Sequence, residues 1–113
     1  MSLFTCVSPV DDCILTSRAF ASDTAISDAV AAARAAHRDW RAQSVCARAT
    51  LCHAFVDAML SMQDEIIPEL ARQMGRPVRY GAGELRGFEE RARYMIGIAD
   101  MALAPLRPPE KSG

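Results

Sequence analysis

Residues 73–83, QMGRPVRYGAG, gather three glycines, a proline and two arginines, the residue types from which phosphate-binding loops are built. A P-loop requires GxxxxGK[ST], and the stretch contains no Gly-Lys dipeptide. A dinucleotide fingerprint requires GxGxxG between a buried strand and a helix. Here Gly81-Ala82-Gly83 is followed at the required spacing by Arg86, and a helical pattern precedes it. The stretch therefore reads as punctuation between helices. Gly75 takes the left-handed position that ends one helix, Pro77 prevents its continuation, and Gly81 and Gly83 reverse the chain before the next.

Other residues that could do chemistry do not assemble into a constellation. Cys46, Cys52 and His53 are metal-ligand types, but neighbours i and i+1 on a helix diverge by about 100° and cannot aim at one ion. With Cys6 and Cys13 they include no CxxC pair, and all four cysteines are expected to be free thiols. Glu84, Glu89 and Glu90 could mimic an acid pair, yet nothing nearby suggests a cleft that would separate their pKa values. Arg79 and Tyr80 resemble an anion site only weakly. His37 lies in an apolar stripe with no nucleophile or carboxylate to serve. Arg48 falls in the first turn of a helix, where the helix dipole disfavours a cation, and this calls for a carboxylate from a neighbouring element. No residue is assigned a catalytic, cofactor-binding or metal-binding role.

The chain has 113 residues with 13 basic and 14 acidic side chains. A net charge of −1 supplies no electrostatic footprint for nucleic acid or an anionic membrane surface. No apolar run approaches the roughly 20 residues that span a bilayer. The opening MSLFTCVSPVDDC lacks a basic leader and meets Asp11 and Asp12 early, so it does not read as a signal peptide, and cytoplasmic residence is the default expectation.

The elements expected to position these residues make a mainly α unit with an N-terminal β-hairpin. The hairpin covers about 4–20, turning at Ser8-Pro9-Val10-Asp11-Asp12. Helices are expected over about 23–40, 45–60, 65–74 and 84–103. The first, capped by Ser22 or Asp23, is alanine-rich with a stripe of Ile26, Val30, Ala33, His37 and Trp40. Leu51, Phe55, Met59 and Met62 stripe the second, flanked by Cys52, Val56 and Leu60. Pro68 suits only a first turn, so the third restarts near Asp64 or Glu65, with one kinked helix as the alternative. Leu85, Phe88, Ala92, Met95 and Ala99 line the last, whose Glu89, Glu90, Arg91 and Arg93 read as a solvated face. Gly87 and Gly97 in this helix suggest close approach by another element. One unit over 1–106 and a disordered tail over 107–113 complete the organisation.

In order and spacing these segments resemble the N-terminal region of the NAD(P)-dependent aldehyde dehydrogenase superfamily. Ser8-Pro9-Val10-Asp11-Asp12 stands where the family has an Asn-Pro-x-Thr/Asp-Gly turn, and AVAAARAAHRDW resembles its alanine-rich helix ending in tryptophan. Arg48-Ala49-Thr50-Leu51 resembles its Arg-Ala-x-x-Leu helix start, Gly75-Arg76-Pro77 its Gly-Lys-Pro turn, and GELRGFEERARYMIGIAD the helix leading toward its cofactor domain. The resemblance spans residues 7–106. Asp12 replaces a glycine, which puts the turn geometry in question because Asp adopts positive φ less readily.

The resemblance implies oxidation of an aldehyde to a carboxylic acid by a cysteine thiolate, with NAD or NADP as cofactor and a glutamate activating water. It also implies homo-oligomers, and the remainder of the aldehyde dehydrogenase fold as partner. None of the four cysteines matches the nucleophile's motif, so no catalytic residue carries over, and no cofactor is expected on these residues. The chain reads as truncated relative to the family and inactive alone. Gly87 and Phe88 are the residues that the resemblance brings nearest the substrate entrance. The competing reading is a non-catalytic helical interaction module with the same pattern.

Overall fold

The computed structural model describes residues 3–108. A hairpin of β1 (Leu3–Val7) and β2 (Ile14–Ala19) is followed by α1 (Asp23–Ala42), α2 (Val45–Ser61), α3 (Gln63–Met74), α4 (Val78–Gly97) and the single turn α5 (Ala99–Ala102). The expected class, mainly helical behind an N-terminal hairpin, is the one observed. The tail expected over 107–113 lies outside the described residues from 109 onward.

The hairpin is antiparallel, with Phe4 opposite Arg18 and Cys6 opposite Thr16, and an irregularity at Cys6/Val7 that brings Val7 opposite Ile14. Its turn is closed by the Ser8 N–H donating to the Cys13 carbonyl at 2.8 Å and the Asp12 N–H donating to the Ser8 carbonyl at 3.0 Å. Asp12 has φ 58°. It therefore adopts the left-handed conformation that the glycine comparison had put in question. A short polar side chain makes that affordable where a branched one would not. Cys13 N–H donates to Asp11 Oδ1 at 3.2 Å.

Serines start the first two helices as expected: Ser22 Oγ accepts from the Ala25 N–H and Ser44 Oγ from the Ala47 N–H, both at 3.1 Å. Each satisfies one of the amide groups orphaned at a helix start. α2 and α3 are separate helices bent by 70°, and α3 begins at Gln63, earlier than the expected restart. Pro68 therefore sits in its second turn rather than its first, and the helix loses the bond that this residue would have donated to the preceding turn. Gly75 ends α3 in the left-handed conformation, φ 69°, with its N–H donating to the Ala71 carbonyl at 2.8 Å.

α4 begins at Val78, directly after Pro77, and not near residue 84. Gly81 and Gly83 are thus helical rather than a reversing loop. Gly81 is buried, and a Cβ built on it would run into the Ile67 side chain, 3.0 Å from Cγ1. Its missing side chain is the gap into which α3 packs. The expected continuous helix to 103 also breaks, at Ile98.

α2, α3 and α4 form the packed centre. Val56 of α2 and Leu85 of α4 are its buried apolar side chains, 1% and 7% exposed. The Phe55 and Phe88 rings meet edge to face with centroids 6.3 Å apart. By contrast, α1 has no buried residue. The hairpin touches the bundle through its turn, where Pro9 lies against Gly75.

Candidate functional site

Two places bring functional side chains together, and neither lies in the glycine-rich stretch. The first is a polar junction between α2 and α4. Arg93 Nη2 donates to Asp57 Oδ1 at 2.6 Å, its Nε to Glu89 Oε1 at 2.8 Å, and its Nη1 to His53 Nδ1 at 3.2 Å. A guanidinium has only donors, so His53 Nδ1 is the acceptor and its ring proton belongs on Nε2. The two carboxylates hold the Arg93 pKa above its ordinary value, the Asp57 hydrogen bond foremost. Sequence reasoning found the Glu89–Arg93 pair one helical turn apart but read the face as solvated. Arg93 instead reaches across to α2, and only the crossing of the helices brings Asp57 and His53 to it. This is a structural tie between α2 and α4, with each of the three groups engaged by Arg93.

The second place is a cleft of about 290 Å³ where the end of α1, the start of α2 and the end of α4 converge. Trp40, Cys52, Met95, Ile96 and Leu103 supply apolar walls, and Arg48 is the charged residue among them. Arg48 Nε is buried and meets no hydrogen-bond partner among the described residues. The carboxylate expected for it is missing there: the four ion pairs among the described residues engage Arg72, Arg76 and Arg93, and none includes Arg48. α2 carries acidic Asp57, but that side chain is drawn to Arg93 on α4.

The remaining candidates are scattered. His37 is exposed on α1. Cys46 is exposed and Cys52 half-buried, while His53 is engaged with Arg93, so the imagined metal trio does not converge. In the hairpin, hydrogen bonding to Asp11 pushes the Cys13 thiol up, and the Cys13 backbone N–H with the Ser8 hydroxyl holds the Asp11 carboxyl below its usual range. A thiol held protonated is a poor nucleophile. Glu84 pairs with Arg76 at 2.6 Å, apart from the Glu89 that pairs with Arg93. Arg76 and Arg79 both lie over the Tyr80 ring, 5.8 and 4.8 Å from its centroid. Phe88 turns toward Phe55, and a Cβ on Gly87 or Gly97 would meet nothing within 4 Å. The expected close approach at those two glycines is therefore not made by the described residues; Gly81 makes it instead.

These residues do not fit a dinucleotide. Gly81 is filled by Ile67, Gly83 lies inside a helix, and the sheet is an antiparallel pair rather than a strand leading into a helix.

What the helices define is a helical layer with a hairpin at its head. The chain matches the aldehyde dehydrogenase family over residues 2–111 and belongs to that family. Its fold is similar to that of an NAD-dependent benzaldehyde dehydrogenase from Corynebacterium glutamicum, with a TM-score of 0.85 at 18% identity. The match covers 99% of this chain and 24% of that one, so the chain spans about a quarter of the length of that enzyme.

Proposed function

We propose that this chain is the N-terminal helical portion of an NAD(P)-dependent aldehyde dehydrogenase, an oxidoreductase that converts an aldehyde to a carboxylic acid, and that its part in that enzyme is architectural. The observation that carries this reading is exposed surface. The chain presents 9491 Å² to solvent, against about 6,100 Å² for a compact monomer of its mass. Much of the excess is apolar: Ile26, Val30, Leu51 and Phe55 are all exposed. α2 carries apolar residues around much of its circumference, including exposed Leu51 and Phe55, yet only the face bearing Val56 is covered.

On this reading the remainder of the dehydrogenase fold covers those faces, the dinucleotide (NAD or NADP) binds on that remainder, and the reactive thiolate comes from it. Cys6 and Cys13 belong to the hairpin and Cys46 and Cys52 to α2, and the one thiol with a carboxylate beside it, Cys13, is pushed up by it rather than activated. Gly87, on open helix surface, is the residue nearest in role to a substrate entrance. The same reading carries a cytoplasmic, homo-oligomeric enzyme.

The test is made on the purified 113-residue chain. With benzaldehyde and NAD⁺ or NADP⁺, no NAD(P)H absorbance is expected to develop. Unfolding in urea is expected to be broad, the uncovered α1 and hairpin loosening before the packed α2–α3–α4 cluster does, with dye binding to exposed apolar surface before denaturant is added. Turnover would overturn the architectural role. A monomer with one sharp unfolding transition would favour the self-sufficient interaction module instead.

A further inference from the structure

The cleft around Arg48 deepens that reading by naming one contact, and it rests on it. A guanidinium Nε–H buried without an acceptor forfeits a hydrogen bond that water would have supplied. In Arg48 this is joined by an unfavourable position in the first turn of α2, where the amide dipoles point positive. Cationic side chains tolerate such surroundings when a carboxylate meets them. No described carboxylate does so: none of the four ion pairs among the described residues includes Arg48, and Asp57 on its own helix is drawn to Arg93. Arg48 shares the lining of the cleft with apolar Trp40, Cys52, Met95, Ile96 and Leu103. What fits is therefore neither a bare anion nor a bare hydrocarbon.

We propose that Arg48 and its cleft receive an acidic side chain, Asp or Glu, carried between apolar residues on a segment of the remaining aldehyde dehydrogenase fold. The carboxylate accepts from Arg48 Nε and a terminal nitrogen as a planar pair, and the flanking apolar side chains fill the space between Trp40 and Met95. Arg48 is then a positioning residue. It fixes where the covering segment sits on the junction of α1, α2 and α4, and takes no part in the reaction.

The chain reports on this cleft by itself, because Trp40 lines it and is the sole tryptophan. The probes are two capped peptides, Ala-Leu-Glu-Leu-Ala and Ala-Leu-Gln-Leu-Ala, titrated while Trp40 fluorescence is read. The Glu peptide is expected to give a saturable change about tenfold tighter than the Gln peptide, as suits a charge-assisted hydrogen bond replacing a neutral one. Arg48→Met is expected to erase that preference. Arg48→Lys, which keeps the charge but loses the planar fork, should retain part of it. Equal binding of the two peptides, no saturable change with either, or a Glu preference that survives in Arg48→Met would each overturn the proposal. Should Arg48→Met fail to fold by circular dichroism, the Glu-against-Gln comparison on the unaltered chain decides alone. The architectural reading fails by a different measurement, NAD(P)H production, so the two cannot be confused.

Discussion

The α2–α3–α4 cluster and α1 are built from the same kind of sequence, yet one has a core and the other does not. α1 carries apolar residues at helical spacing and a good cap, and still leaves Ile26 52% and Val30 49% exposed. α4, with comparable patterning, buries Leu85 against its neighbours. Amphipathic spacing states that a face requires a cover; it does not state where the cover comes from. α1 is long and alanine-rich enough to hold its helix by propensity and capping, so it can form before anything lies against it. The cluster depends on mutual packing, and the same deletion of an apolar side chain should have different costs in the two regions.

The largest expected effect tests that difference directly. Leu85→Ala should weaken the cluster by about 3 kcal/mol and Val56→Ala by about 2 kcal/mol, read as faster hydrogen exchange of amides across α2 and α4 together. Ile26→Ala and Val30→Ala should leave those amides unchanged in the isolated chain. Loss of protection on the α1 substitutions would mean that α1 is packed in solution and would break the contrast.

A smaller effect separates two glycines of one helix. Gly81→Ala places a Cβ against Ile67 and should cost about 1–3 kcal/mol from overpacking. Gly87→Ala meets open space and should strengthen α4 by up to about 1 kcal/mol. Both are read from exchange in α4. If Gly87→Ala stabilises the isolated chain but impairs a whole enzyme, the exposed side of α4 is a covered face there.

The smallest effect lies in the hairpin turn. Asp11's carboxyl is held below its usual range, first by the Cys13 N–H and then by the Ser8 hydroxyl. Its contribution is therefore present above the ordinary carboxylate value of about 3.9 and lost as pH falls through the lower folded value. The Cys13 amide resonance should move over that acidic range, and Asp11→Asn should remove the titration. Persistence of the titration in Asp11→Asn would assign it to another group.

The contrast also shows how far the sequence was legible. Local chemistry was readable: Ser22 and Ser44 as caps, Gly75 as a helix stop, and the hairpin turn at Ser8–Asp12 all depend on residues within a few positions of each other. What required the third dimension was misread. Leu51 and Phe55 belong to the stripe of α2 and Val56 only flanks it, but Val56 is the buried residue and the other two are exposed, because a helix with so broad an apolar surface does not declare which side its neighbours take. Gly81 looked like a loop residue since glycine disfavours helix interiors; its reason is Ile67, fourteen positions earlier. Arg48's missing partner was equally invisible. The helix dipole predicts that a carboxylate is needed, and no rule of spacing says that none of the described carboxylates reaches it.

Gly81 has a further consequence through leverage. Ile67 rests on it near the middle of α3, and α3 ends at Gly75, where Pro9 of the hairpin turn leans on the chain. From Ile67 to Gly75 the helix extends roughly 12 Å at 1.5 Å per residue. A side chain at position 81 would push α3 aside at the pivot, and the far end would swing further than the pivot moved. The hairpin would be re-aimed although no residue in it had changed. The absence of a single methyl group on α4 thus acts as an alignment stop for a strand pair at the opposite end of the sequence.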